Sequence, residues 1–262
     1  MKITLLGAGG SAGLPQIGGA DGRGDWGQTD PNEPRNRRSR PSIVIHGDDG
    51  KTILVDTSPD MRYQLTGCGI GKVDALIFTH AHADHVAGLD DVRILNRILG
   101  APLPAYAVPD VWEELQLRFA YAMRPWKGSF FGRPALELNE ITPGQGFDVF
   151  GTHILPIDQD HGYSRSLGLR IGDFAYCTDV VRFEPAQMEA LQGVKTLVVD
   201  CFTPDNNHPT HAGLGTVQGW VQALKIERTI LTHMGPAMDY AKLRRTLPDC
   251  IEPGYDGMEF HA

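Results

Sequence analysis

Three histidines and an aspartate fall within six consecutive residues, His80-Ala81-His82-Ala83-Asp84-His85, directly after the short apolar run Val73-Asp74-Ala75-Leu76-Ile77-Phe78-Thr79. Imidazole and carboxylate side chains together are ligands for zinc, manganese or iron. No helical or core-packing rule places three histidines at this spacing. In an extended segment His80 and His82 point to one side, while Asp84 and His85, at the turn into the next helix, can face a second ion nearby. The end of a buried strand is also a usual place for a site.

A second chemical signal proves weaker on inspection. Gly7-Ala8-Gly9-Gly10-Ser11-Ala12 fits the glycine fingerprint that lays a pyrophosphate on a helix N-terminus. The continuation Gly13-Leu14-Pro15-Gln16-Ile17-Gly18-Gly19 cannot form that helix. These glycines therefore read as a sharp turn where backbone passes close to something.

The elements that must carry these residues are short, because 31 Gly and 18 Pro interrupt the 262-residue chain. Residues 2–6 read as a strand, and 42–46 with 52–56 as a hairpin around Gly47-Asp48-Asp49-Gly50. Residues 18–41 form a long polar loop rich in Gly and Arg, of the kind that is functional or mobile. Helical periodicity covers 86–99 and 110–123. Strand-like runs at 136–141, 147–157, 166–171 and 174–178, joined by turns, predict an antiparallel sheet in the middle of the chain. Two strand-helix pairs follow, 196–201 with 214–224 and 228–232 with 238–247. This order predicts one domain over residues 1–262, an α/β (α+β) four-layer αβ/βα sandwich of two mostly antiparallel mixed sheets flanked by helices.

Composition narrows the function classes. Lys and Arg number 24 against 32 Asp and Glu, a net charge of −8, which leaves little electrostatic footprint for long nucleic acids. The exception is the block Arg35, Arg37, Arg38 and Arg40, which could clamp a phosphate. Cys68, Cys177, Cys201 and Cys250 are widely spaced and form neither a zinc ribbon nor a disulfide framework. The apolar opening Met1–Leu6 is too short for a signal-peptide core, and no run reaches the roughly 18 apolar residues of a membrane span. A soluble cytoplasmic protein with reduced cysteines is expected.

The His-x-His-x-Asp-His run after an apolar strand resembles the signature of the metallo-β-lactamase superfamily, and the likeness covers almost the whole chain. Membership would imply an αβ/βα sandwich with one or two metals at one edge of the sheets. It would also imply three further ligands, each just past a strand: His161 after Ile154-Leu155-Pro156-Ile157, Asp179 after Tyr176-Cys177-Thr178, and His233 after Thr229-Ile230-Leu231-Thr232. By this resemblance His80, His82 and His161 bind one metal and Asp84, His85 and His233 another, with Asp179 bridging. The cofactors implied are two divalent ions, zinc or manganese.

Within the superfamily the chain is most similar to the phosphodiesterases of the carbon-phosphorus lyase pathway. The likeness rests on Gly7-Ala8-Gly9-Gly10 with Gly13-Leu14-Pro15, Asp200-Cys201, His211 with Thr216-Val217, and the ending Gly254-Tyr255-Asp256-Gly257-Met258-Glu259. Such enzymes resemble others with a structural zinc held by loop cysteines and a His after the last ligand. Here residues 18–40 contain no cysteine, and Gly235-Pro236 take the place of that His, so the loop must be ordered otherwise or stay mobile.

The resemblance implies a hydrolase in which Asp84 and His211 are the catalytic candidates. His211 is suited to serve the leaving oxygen because imidazole is matched to proton transfer near neutral pH. His208, three residues earlier, is expected to be a bystander. The expected substrate is a small phosphodiester or nucleotide, with no long nucleic acid and no membrane; a homodimer is compatible with the chain. Two alternatives remain open, a ribonuclease of the transfer-RNA 3′-processing kind and a non-hydrolytic biosynthetic protein resembling the pyrroloquinoline-quinone B type.

Overall fold

In the segment Ser42–His46, Ile43 and Ile45 belong to one buried cluster and Val44 to another. Successive strand side chains face opposite ways, so such a strand is covered on both faces. Thr52–Val55 repeats the pattern, with Ile53 and Val55 on one side and Leu54 on the other. Two covered faces per sheet is the requirement that a layered sandwich meets.

The structure, a computed structural model, describes residues 1–125 and 135–262. Along the chain the strands are β1 (Lys2–Gly7), β2 (Ser42–His46), β3 (Thr52–Val55), β4 (Ala75–Ile77), β5 (Leu103–Ala107), β6 (Leu136–Glu140), β7 (Phe147–Val149), β8 (Thr152–Asp160), β9 (Arg165–Ile171), β10 (Phe174–Cys177), β11 (Thr196–Asp200), β12 (Arg228–Thr232), β13 (Ile251–Pro253) and β14 (Met258–His261). They form two seven-stranded sheets, ordered β14-β1-β2-β3-β4-β5-β6 and β13-β12-β11-β10-β9-β8-β7. Ile3, Ile45 and Ile77 of the first sheet join Ile154, Leu169 and Val198 of the second in one core.

Helices cover the outer faces. On the first sheet lie α1 (Met61–Gly67), α2 (Ala83–Val86), α3 (Val92–Leu99), α4 (Pro109–Arg118) and α5 (Ala120–Met123). Met61, Leu65, Val92, Leu95 and Leu115 pack there against Val44, Leu54 and Leu76. The later helices are α6 (Pro185–Ala190), α7 (Leu214–Leu224) and α8 (Tyr240–Thr246), with Val217, Val221 and Leu243 buried. No helix among the described residues is long and apolar enough to cross a membrane.

The αβ/βα sandwich of mixed sheets is as expected, and four details differ. Each sheet has three antiparallel and three parallel pairings, so neither is mostly antiparallel. Residues 136–140 leave the middle hairpins and pair parallel to β5 in the first sheet. Residues 147–157 are not one strand, because Phe150 and Gly151 take positive φ (51° and 76°) and close a two-residue hairpin turn. The helix expected over 86–99 is interrupted by a 3-10 turn at Ala87–Asp91, where the Gly88 N–H donates to the Thr57 carbonyl rather than within a helix. Tertiary contacts override periodicity there.

The glycine run after β1 opens no helix. A Cβ on Gly10 would stand 2.7 Å from the Phe202 ring, so the chain passes there only because the side chain is missing. The 18–41 loop is tied down by specific bonds. Gln28 N–H donates to the Pro236 carbonyl at 2.8 Å, and Asn36 Nδ2 to Asp239 Oδ2 at 2.8 Å. Arg38, 1% exposed, gives its guanidinium to the carbonyls of Met238 (2.8 Å) and Gly235 (3.2 Å). A buried cation thus occupies the contact with Gly235-Pro236.

Candidate metal centre

The strand ends deliver the titratable residues to one place. His80, His82, Asp84 and His85 follow β4, His161 follows β8, Asp179 follows β10, and His233 follows β12. Ligand atoms of His80, His82, His161 and Asp179 lie within 4.8 Å of one another, and so do those of Asp84, His85, Asp179 and His233. Asp179 belongs to both groups. Its Oδ1 stands 3.5 Å from His161 Nε2 and 3.3 Å from His233 Nε2, and its Oδ2 3.1 Å from His85 Nε2. All seven residues singled out from the sequence are therefore brought together.

Hydrogen bonds at the far side of three of the rings, His80, His85 and His161, show which nitrogen faces the cluster. Thr79 Oγ1 donates to Asp56 Oδ2 at 2.8 Å, so it accepts from His80 Nδ1 at 3.0 Å. His85 Nδ1 donates to Asp56 Oδ2 at 2.7 Å, and His161 Nδ1 to the Thr210 carbonyl at 2.8 Å. Each bond holds the proton on Nδ1 and turns the Nε2 lone pair toward the cluster. Nε2 of His80 and of His85 are buried without a hydrogen-bond partner, and lone pairs left so are what a metal ion satisfies. Imidazoles and carboxylates at this density fit divalent metal binding.

The electrostatics follow from crowding in a buried place. Burial pushes the His80 imidazole well below its ordinary range and so favours the ligating form. Burial also disfavours charge on His85, yet the carboxylates of Asp179, Asp56 and Asp84 outweigh it and raise its pKa well above normal. His233 is raised to about 9 against burial, by Asp179 first. Asp179 and Asp84 are held below the usual carboxylate range despite burial, Asp179 chiefly by His233 and His85, Asp84 chiefly by His85. The backbone carries strain at the same place. Asp56, Asp179 and His233 adopt φ of 64°, 53° and 53°, a region that L residues avoid unless the surroundings hold them.

His211 shares the cavity with the cluster, and its Nδ1 donates to Asp200 Oδ2 at 2.6 Å. Asp200 Oδ2 also accepts from Val180 N–H at 3.0 Å, which fixes the carboxylate. The Phe202 ring stacks on His211 at 5.1 Å between centroids. His208, expected to be a bystander, lines the same cavity, 4.7 Å from Phe202 and 5.0 Å from His211 between centroids.

The basic loop does not reach the site. Arg35 pairs with Glu33 at 2.6 Å and lies over Tyr240, Arg37 lies over Trp26, Arg38 is buried, and Arg40 pairs with Asp60 at 3.1 Å. The phosphate clamp is thus corrected to a structural set. Sequence reasoning missed Asp56 and the orienting part of Asp200. The available signal was an acidic residue ending each of two apolar strands, Ile53-Leu54-Val55-Asp56 and Leu197-Val198-Val199-Asp200.

Comparison with known proteins agrees with this geometry. The model of the beta-lactamase superfamily domain matches residues 51–234. A crystal structure of a diphosphatase from the PhnP family is 34% identical and superposes with a TM-score of 0.86, covering 100% of this chain and 97% of that one. An octanoyltransferase from Porphyromonas gingivalis is 32% identical over 99% of this chain, which spans only 51% of that relative's length. A ribonuclease Z from Pyrobaculum islandicum is 24% identical over 84% of this chain and 89% of its own. With its two mixed seven-stranded sheets and a domain match that runs from β3 past His233, the chain belongs to the metallo-β-lactamase superfamily.

Proposed function

We propose that the chain is a metal-dependent hydrolase of small phosphodiesters such as cyclic nucleotides, cyclic ribose phosphates or nucleotide diesters. The observation that carries this reading is Asp179 standing in both ligand groups, with His211, held from behind by Asp200, lining the same cavity. His80, His82 and His161 would hold one ion, Asp84, His85 and His233 the other, and Asp179 both. Seven ligands exceed the four that one tetrahedral ion takes, and their chemistry suits zinc or manganese. When bound, two such ions supply the charge that acidifies a water to a pKa of about 7 and neutralises the phosphoryl oxygens.

The chain's own groups do the rest. Asp84 Oδ2, 3.4 Å from His233 Nε2, faces the cavity and accepts a hydrogen bond from the attacking water. His211 presents Nε2 to the leaving oxygen, and Asp200 stabilises the imidazolium from which the proton is given. Thr210, through its carbonyl on His161, and Asp56, on His85, keep the rings aimed.

Names of relatives support phosphorus chemistry: a diphosphatase at 34% identity and a ribonuclease Z at 24%. A net charge of −8 opposes a grip on long RNA and favours small diesters. Four unpaired cysteines suit the reducing cytoplasm. The test is turnover by zinc- or manganese-loaded protein of bis(4-nitrophenyl) phosphate, 4-nitrophenyl phosphate and a structured transfer-RNA precursor. Cleavage of the diester in preference to the other two is expected. Monoesterase activity alone would overturn the reading, and preference for the RNA would replace it with the ribonuclease.

A further inference from the structure

The cavity over the metal cluster has a volume of about 410 Å³, and its walls beyond the candidate ligands include Ser11, Tyr163, Ser164, Phe202, His208 and Thr210. Among the described residues, none that lines it is Lys or Arg. A second phosphate on the substrate would find no guanidinium or ammonium among these described residues, whereas their hydroxyls and rings suit an uncharged group.

Tyr163 stands apart in this wall because it is 90% exposed. Its backbone is nevertheless held in place, since it sits in the turn joining β8 to β9, two residues after the candidate ligand His161. His161 N–H donates to the Ser164 carbonyl at 3.1 Å, and Gly162 N–H to Asp160 Oδ1 at 2.8 Å, so both sides of the turn are tied. Asp160 is in turn held by Arg182 at 2.7 Å. Among the described residues the Tyr163 ring has no hydrogen bond, ion pair or ring partner, whereas Phe202 is already stacked on His211. An aromatic with a free face on a tied turn, next to a candidate metal ligand, offers a planar group a surface to stack on, and a tyrosine gives up little side-chain entropy when it is used so.

We propose that Tyr163 is a specificity-determining stacking platform that selects substrates carrying a planar, uncharged group beyond the scissile phosphorus, a nucleoside above all. The proposal rests on the phosphodiesterase reading and names its substrate class. Stacking on one aromatic face tolerates any base, so purine and pyrimidine nucleosides are both accepted. The preference is expressed in binding, because the ring does not touch the reacting atoms.

The experiment compares the metal-loaded wild type, Tyr163→Ala and Tyr163→Phe on adenosine 2′,3′-cyclic phosphate and on glycerol 1,2-cyclic phosphate, which lacks a base. Affinity for adenosine 2′-monophosphate is measured in parallel by calorimetry. Tyr163→Ala is expected to raise KM for the adenosine substrate and to weaken the monophosphate about tenfold, the effect of one lost base–aromatic stack. Its kcat and its KM for the glycerol substrate stay within about twofold of wild type, and Tyr163→Phe behaves as wild type, since the ring face is retained. Equal KM changes on both substrates, or a Phe variant as weak as the Ala variant, would overturn the proposal. Should wild type cleave neither substrate, the phosphodiesterase reading fails separately. Calorimetry then decides this one: weaker monophosphate binding by Tyr163→Ala supports the platform, and unchanged binding overturns it.

Discussion

His211 is positioned by a carboxylate eleven positions away, because Asp200 Oδ2 at 2.6 Å accepts from its Nδ1 and fixes its tautomer. If it serves the leaving oxygen, His211→Ala will keep its metal but lose about a hundredfold or more in turnover. The loss will be largest for ribose hydroxyl leaving groups and small for nitrophenolate, which departs without a proton. Equal losses on alkyl and aryl diesters would reassign the residue. Asp56 acts differently, since it holds His85 and Thr79 and does not line the cavity. Asp56→Asn should weaken metal retention about 10- to 100-fold, the usual effect of removing an outer partner of a ligand, as read by competition with a chelating dye. The contiguous motif from His80 to His85 was legible because its spacing has no structural explanation. Asp56 and Asp200 were not, because one acidic residue at a strand's end also reads as an ordinary turn, and only the fold shows what its oxygens face.

Among the elements, the 18–41 loop differs most from its sequence, whose polar, glycine-rich character reads as mobility. Its tethers are long-range: Arg38 to Gly235 and Met238, Asn36 to Asp239, and Ser39 to Asp256, whose Oδ2 accepts from Ser39 N–H (2.7 Å) and Oγ (2.6 Å) while Oδ1 accepts from Ala8 N–H (3.0 Å). No local pattern announces such partners. Burial raises Asp256 from 3.8 to about 6, with these hydrogen bonds opposing. Because the folded value lies above the unfolded one, the native state binds the extra proton. The stability this contributes is complete below the unfolded pKa and is lost as pH rises through about 6. Urea unfolding of wild type and Asp256→Asn should therefore show the stability difference, wild type minus variant, falling between about pH 4 and pH 6 and flat above. A difference independent of pH would show that Asp256 ionises as freely in the folded protein as in the unfolded chain. Helix boundaries failed for a related reason. The periodicity over 86–99 is genuine, but the Gly88 N–H bond to Thr57 breaks the helix from outside it.

At the scale of the molecule, two sheets present β4, β8, β10 and β12 so that their C-terminal ends supply every candidate ligand. The layered class was legible because apolar strands alternate with turns and helices. The even split of parallel and antiparallel pairings was not, since β6 reads locally as one more hairpin strand and joins β5 only through long-range pairing. The same assembly makes the central claim testable, because Asp179 belongs to both candidate ligand groups. Metal content per chain, measured by mass spectrometry after loading with excess zinc or manganese and gel filtration, tests it most directly. Two ions are expected in the wild type, and fewer in Asp179→Ala with loss of turnover. At most one ion in the wild type under these conditions would contradict the dinuclear centre.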